Sequence, residues 1–153
     1  MTMSETMTAA VVSTFGEDLD VTETPRPTPG PGQALVRLIA SGVCHTDLHA
    51  KDGDWPVKPT PPFIPGHEGV GEVVALGEGV ADLQVGDLVG NAWLWSACGR
   101  CEHCQTGWET LCEEQVNGGY SVDGSFGEYM LVDADFAARI PEGADPYLSL
   151  IHI

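Results

Sequence analysis

The chain has 153 residues, enough for one domain with a real core, and 23 acidic residues against six cationic ones give a formal net charge of -17. That balance argues against nucleic-acid binding, which needs a basic face to neutralise phosphates, and no apolar run is long enough to span a membrane. So acidic and lysine-poor a surface fits either a high-salt cytoplasm, where screening removes self-repulsion, or an ordinary acidic enzyme.

The N-terminal stretch MTMSETMTAAVV lacks the basic start and long apolar segment of a secretory signal. It predicts a cytoplasmic protein with reduced thiols. Nineteen glycines and 11 prolines then cut the chain into short pieces, which favours strands and loops over long helices. In chain order the expected strands are Thr8 to Thr14, Leu19 to Thr24, Gln33 to Ala40, Gly69 to Leu76, Asp87 to Gly90, Glu128 to Val132 and Ala137 to Ile140. Turn-rich pieces separate them, among them TPRPTPGPG from Thr24 and KPTPPFIPG from Lys58. Leu35, Arg37 and Ile39 alternate with Ala34, Val36 and Leu38, the period of a strand with one face inward. One helical turn is expected from His45 to Lys51. There is no internal repeat and no G-x-G-x-x-G fingerprint after a strand, so no dinucleotide-binding domain lies within these residues. The fold class is mainly β with short helices, arranged as a partly open barrel.

Four of the five cysteines, Cys98, Cys101, Cys104 and Cys112, share the loop CGRCEHCQTGWETLC with the spacing C-x2-C-x2-C-x7-C. Turns between them can bring four sulfurs to one point, as a tetrahedral zinc thiolate requires. Disulfides are the bland alternative, and an odd cysteine count without a secretory leader argues against them. A thioredoxin-like pair is a second alternative, without the strand-then-helix setting it needs. His103, inside CEHC, reads as a solvated loop residue because four thiolates already fill a tetrahedral site. The fifth cysteine, Cys44, lies in GVCHTDLHA, and His67 lies in PGHEGVG. A thiolate and an imidazole make two of the three protein ligands of an open, catalytic zinc.

GVCHTDLHA, GDWP (Gly53 to Pro56), PGHEGVGEV, GDLVG (Gly86 to Gly90), the four-cysteine lobe and GYSVDGSFGEY (Gly119 to Tyr129) follow one another in this order. In these motifs the chain resembles the zinc-dependent medium-chain alcohol dehydrogenases, most closely the bacterial and yeast ethanol-active type. The resemblance covers about Met7 to Pro146. It implies a GroES-like catalytic domain over residues 1–147, with a zinc lobe at about 92–118, normally followed by a Rossmann domain that is absent from these residues.

The resemblance further implies that Cys44 and His67 are catalytic zinc ligands and that Glu68 is a carboxylate able to approach the metal. Asp47 would accept a hydrogen bond from the second ring nitrogen of His67, or would merely cap the short helical turn. Thr46 would bind the substrate oxygen, His49 would end a proton relay, and His45 would contact the pyrophosphate of NAD. Trp55 and Trp93 would wall a narrow alcohol pocket, or else be ordinary core. The implied reaction oxidises small primary alcohols to aldehydes with hydride transfer to NAD, in an enzyme that is homo-oligomeric when whole. Two other readings stay open: a non-catalytic zinc-stabilised binding or scaffold module, and a related dehydrogenase acting on another alcohol or a polyol.

The third catalytic ligand that the resemblance implies, a cysteine after the PEGAD stretch, is missing. The last six residues, Leu148 to Ile153, read LSLIHI, the translation of a transposon mosaic end used in sequencing adapters. They are therefore expected to be a non-native tail, with a natural chain continuing past Tyr147 and this polypeptide inactive alone.

Overall fold

A computed structural model describes residues 5–148 and 150. Among them lie nine strands, β1 (Thr6–Val11), β2 (Asp20–Pro25), β3 (Gln33–Ser41), β4 (Gly69–Leu76), β5 (Leu88–Asn91), β6 (Leu94–Ser96), β7 (Val116–Asn117), β8 (Tyr129–Asp133) and β9 (Ala138–Arg139). Two short α-helices, α1 (His45–Asp52) and α2 (Glu102–Gln105), and a 3-10 turn at Glu109–Leu111 complete the elements. The expected tail lies outside the described residues apart from Leu148 and Leu150.

β3 organises the main sheet, an antiparallel array in the order β8-β3-β4-β5-β9. Its alternation works as the sequence implies. Ala34 and Val36 turn onto a cluster with Val73, Leu83, Val89, Met130 and Val132, and Val36 pairs with Val73 on one side and Met130 on the other. Each of the larger side chains in this cluster, Val, Leu or Met, contributes roughly 1.5–3 kcal/mol of transfer free energy. Leu35, on the opposite face, is buried too, so β3 is covered on both faces at its start, whereas Arg37 and Ile39 emerge into solvent. β1 pairs with β2 in a separate two-stranded sheet, and its inward residues Met7, Ala9 and Val11 pack with Ile64, Phe126 and Tyr129. The sheets do not close on one another, which makes the architecture a partly open barrel.

Two packing features position the site. A third cluster of Val12, Ala50, Phe63 and Tyr120, flanked by Phe15, Leu19, Trp55 and Trp93, lies beneath α1 and anchors it through Ala50. The second is a backbone contact around Gly66. A Cβ on Gly124 would lie 2.0 Å from the Gly66 carbonyl oxygen, and one on Gly119 would lie 2.7 Å from Gly66 backbone atoms. Only glycine lets these segments meet so closely. The Ser125 N–H then donates to the Gly66 carbonyl at 2.8 Å, and Gly124 donates to Ile64 at 2.7 Å. His67, the next residue, is thus held by main chain on two sides.

All seven expected strands are present, β4 with the expected bounds and the other six with one or both ends shifted. β1 stops at Val11 because Val12 leaves the sheet to exchange backbone hydrogen bonds with Phe63. The expected turn at His45 to Lys51 is a helix that runs to Asp52. β6 and β7, not foreseen, are three and two residues long, too short for periodicity to register. Their antiparallel pairing, Leu94 with Asn117, brings together the two ends of the segment that carries the four cysteines. Among the described residues no helix is long and apolar enough to cross a membrane.

Candidate metal centres

The four-cysteine loop folds on itself. Among the described residues, Cys98, Cys101, Cys104 and Cys112 are the one group of three or more His, Cys, Asp or Glu donors whose ligand atoms all lie within 4.8 Å of one another. The Sγ atoms of Cys101 and Cys104 are 3.5 Å apart and those of Cys98 and Cys104 are 3.9 Å apart. A tetrahedral zinc with Zn–S near 2.3 Å needs sulfurs about 3.8 Å apart. The separations therefore fit a cation, and all five cysteines are free thiols. Cys101 caps α2, Cys104 lies within it, and the Cys112 N–H donates to Glu109 at the end of the 3-10 turn. The backbone N–H groups of Arg100 and Cys101 bring the Cys98 thiol down to about 6. Burial, then the Cys101 thiol, pushes Cys104 up to about 12. His103 is exposed and lies in α2, not in a loop, outside the sulfur cluster.

Cys44 and His67, the second candidate centre, are joined by one carboxylate. Asp47 is 5% exposed and stands at the third position of α1, which begins just after Cys44. Its Oδ2 accepts the Cys44 backbone N–H at 2.8 Å, and its Oδ1 accepts from His67 Nδ1 at 2.9 Å. Capping and histidine orientation, which the sequence leaves as alternatives, are both realised by the two oxygens of one side chain. The Asp47 hydrogen bond is the main cause that raises the His67 pKa. With Nδ1 engaged, Nε2 is the nitrogen of His67 that remains for a metal. The Cys44 thiol is exposed, and its pKa is lowered first by the Thr46 backbone N–H and then by the Thr46 hydroxyl, 3.8 Å away. These two residues supply the sulfur and nitrogen donors that suit zinc.

Glu68 does not join them in a three-donor group within 4.8 Å. Its carboxylate lies against Gly42, where a Cβ would meet Oε2 at 2.5 Å, and its carbonyl accepts from Gly42 N–H at 2.9 Å, Ser41 Oγ at 3.2 Å and Ser125 Oγ at 3.3 Å.

Rings form a continuous wall beside His67. Trp93 meets it edge-on at 5.6 Å, Trp93 contacts Tyr120 at 5.6 Å and Trp55 at 6.2 Å, and Trp55 contacts Tyr120 at 5.5 Å. Trp55 and Trp93 are half-buried, so they belong at once to this wall and to the cluster under α1. On the outer side of Trp55 lies the ring of His49 at 5.4 Å, followed by exposed His45 at 5.0 Å from His49.

The family model described as the alcohol dehydrogenase GroES-like domain matches residues 30–142. The chain belongs to this family. An alcohol dehydrogenase from Moraxella sp. (strain TAE123) is 62% identical over 139 residues, covering 91% of this chain and 41% of that relative. Among solved structures, a cobalt- and zinc-bound thermostable alcohol dehydrogenase from Pyrobaculum aerophilum has a TM-score of 0.81 at 38% identity over 88% of this chain and 41% of that one. An acetophenone reductase from Geotrichum candidum, in complex with NAD, has a TM-score of 0.82 at 33% identity over 95% and 43%. The chain spans about 40% of the length of the curated relatives it matches.

Within this GroES-like alcohol dehydrogenase domain, sequence reasoning missed two side chains that touch the rings beside His67 and His49. Tyr120 is 9% exposed and donates its hydroxyl to the Val57 carbonyl, and burial followed by the charge of Asp54 raises its pKa. Asp54 contacts His49. Both sit inside quoted motifs, GYSVDGSFGEY and GDWP, so the signal was present without a role attached to it.

Proposed function

We propose that residues 1–147 form the catalytic domain of a zinc-dependent dehydrogenase which, as a whole enzyme, oxidises small primary alcohols to aldehydes with hydride transfer to NAD. Similarity to alcohol dehydrogenases supports the substrate class. The relatives in complex with NAD and with cobalt and zinc support the cofactors. The observation that carries the reading is the double contact of Asp47, which ties the backbone of Cys44 at 2.8 Å and the ring of His67 at 2.9 Å to one buried carboxylate. A scaffold module has no use for a carboxylate that fixes a histidine tautomer beside an exposed, acidified thiol.

Cys44 Sγ and His67 Nε2 would hold the catalytic zinc, with Glu68 as the neighbouring carboxylate, and the four lobe cysteines would hold a structural zinc. Zinc supplies Lewis acidity toward an alcohol or carbonyl oxygen, and NAD supplies the hydride acceptor. Asp47 keeps the His67 ring oriented and its Nδ1 protonated. Thr46, within reach of Cys44, holds the substrate hydroxyl and accepts its proton in exchange for its own. His49, one helical turn on, receives that proton and releases it to water. His45, exposed at the first position of α1, contacts the pyrophosphate of NAD. Trp55, Trp93 and Tyr120 exclude water and leave room for an ethanol-sized chain.

Cobalt substitution tests this. In the whole enzyme two cobalt ions per chain are expected, one with the charge-transfer bands of a tetrathiolate and one that disappears in Cys44→Ser. In the whole enzyme the same substitution abolishes ethanol-dependent NAD reduction. A single tetrathiolate spectrum, together with full activity in Cys44→Ser, overturns the reading.

A further inference from the structure

We propose that Asp54 is a positioning residue for His49, holding the ring as the Nδ1–H tautomer so that Nε2 is the nitrogen that receives the substrate proton. The inference rests on the relay role given to His49 above and adds the group that makes the ring directional. Both carboxylate oxygens of Asp54 lie 3.0 Å from His49 Nδ1. A carboxylate only accepts, so Nδ1 carries the proton in this contact and Nε2 keeps its lone pair.

The ring plane is fixed as well as its proton. His49 stacks on Trp55 with centroids 5.4 Å apart and planes at 27°, and Trp55 is itself braced by Tyr120 at 5.5 Å. The turn that delivers Asp54 and Trp55 is determined by Gly53, which ends α1 in the left-handed region with φ 63° and donates its N–H to the His49 carbonyl at 2.9 Å. A side chain there would be strained and would also strike the Phe15 ring, 2.6 Å from the Cβ position. Residue 49 is thus gripped twice by the turn that follows it, at its carbonyl by Gly53 and at its ring by Asp54.

Stability alone gives this pair little reason to exist. The His49 side chain is 35% exposed and that of Asp54 52% exposed, a setting in which solvent screening leaves an ion pair little effect on stability. Its consequence is orientation. A ring without such a partner exchanges its proton between both nitrogens and turns about its own axis. A ring held by Asp54 presents one accepting nitrogen. The proton leaves the substrate oxygen through the Thr46 hydroxyl and bonds to Nε2, while Nδ1–H stays on Asp54. The imidazolium faces a carboxylate until Nε2 passes the proton to water, and no electrons change hands. Two other titratable groups surround the pair. His45 lies 5.0 Å from the His49 ring, and Tyr120 has its pKa raised in part by Asp54, so it stays a neutral donor to Val57.

Two-bond proton–nitrogen correlation spectra of the ¹⁵N-labelled, zinc-loaded chain read the tautomer without any turnover. The neutral His49 ring is expected to show a protonated Nδ1 and a bare Nε2. Asp54→Ala should scramble the two nitrogens. Asp54→Asn, which keeps an acceptor oxygen, should preserve most of the wild-type pattern. In the whole enzyme, Asp54→Ala should lower kcat about tenfold, the scale for losing a group that orients a base, with less than a twofold change in KM for the alcohol. A wild-type Nε2–H tautomer, or an Asp54→Ala spectrum like wild type, overturns the inference and leaves the proposed reaction standing. Full turnover in His49→Gln overturns the relay itself, whatever the spectra show.

Discussion

Replacing Asp47 by alanine separates the two candidate metal centres in one experiment. The side chain is 5% exposed and accepts two hydrogen bonds, from Cys44 N–H at 2.8 Å and from His67 Nδ1 at 2.9 Å. Hydrogen bonds to a charged acceptor contribute about 1.5–3 kcal/mol each, and the buried donors left behind carry their own desolvation cost. Alanine also removes a cap worth about 1 kcal/mol from the start of α1. Against these stands the desolvation of the carboxylate itself, which vanishes with it. The balance is a loss of about 3 kcal/mol, roughly 150-fold in the folding constant. Urea unfolding of the zinc-loaded chain, followed by tryptophan fluorescence, measures it, and Asp47→Asn should lose about half as much because one acceptor oxygen survives. Tetrathiolate cobalt bands should remain in both variants, while affinity at the Cys44–His67 centre falls by about 10- to 100-fold. A destabilisation below about 0.5 kcal/mol with unchanged metal affinity would refute the account of Asp47 as the joint of the site.

Three further outcomes follow from packing and charge. Gly124→Ala puts a Cβ 2.0 Å from the Gly66 carbonyl oxygen, and should cost about 3 kcal/mol or more in urea melts, whereas Gly90→Ala, with its nearest neighbour at 3.5 Å, should stay within about 1 kcal/mol of wild type. Chelation, or Cys112→Ser at a position 1% exposed, should open residues 98–112 to proteolysis and lower the melting midpoint by about 5 °C or more, with the far-ultraviolet circular dichroism of the main sheet retained. Asp133 is half-buried, and burial is the main cause that raises its carboxyl pKa. Once ionised, such a group disfavours the folded state, so the penalty is present above the folded pKa and disappears as pH falls below the unfolded value near 3.9. Asp133→Asn, still able to accept the Asp135 N–H that Asp133 binds at 3.0 Å, should melt about 1–2 °C higher at pH 7, an advantage that shrinks toward pH 4.

The main sheet was legible because its strands alternate over enough residues for the period to register, as Ala34 and Val36 against Arg37 and Ile39 do. The sulfur cluster was legible because its spacing is local, and a loop of fifteen residues has few other ways to use four cysteines. What was not legible depends on distance along the chain. Tyr120 meets Trp55 and Trp93 from a separate segment, and no periodicity announces a hydroxyl that reaches Val57. Asp54 is five residues from His49, beyond the end of α1, so a helical reading places it on no shared face. Asp47 was legible only as a choice between two roles, since a one-dimensional reading assigns one job to each side chain while a carboxylate has two oxygens.

The two donor sets depend on the fold in opposite ways. Four sulfurs come from one loop whose own elements are a four-residue helix, a three-residue turn and a two-stranded ribbon, with only Cys112 buried among the four cysteines. Little but a bound cation can hold such a loop together, because its apolar burial is small and its thiols repel one another when ionised. Cys44 and His67 are held by other means: α1 packed through Ala50 onto Val12, Phe63 and Tyr120, the Gly66–Gly124 backbone contact, and the Asp47 carboxylate joining them. Removing metal should therefore unmake the lobe and leave the Cys44–His67 geometry in place. Amide exchange in the metal-free chain reads the order: fast exchange at Cys101 to Leu111, slow exchange at Cys44 and Val73. Equal loss of protection at both would mean that the metal, and not the fold, builds the second centre too.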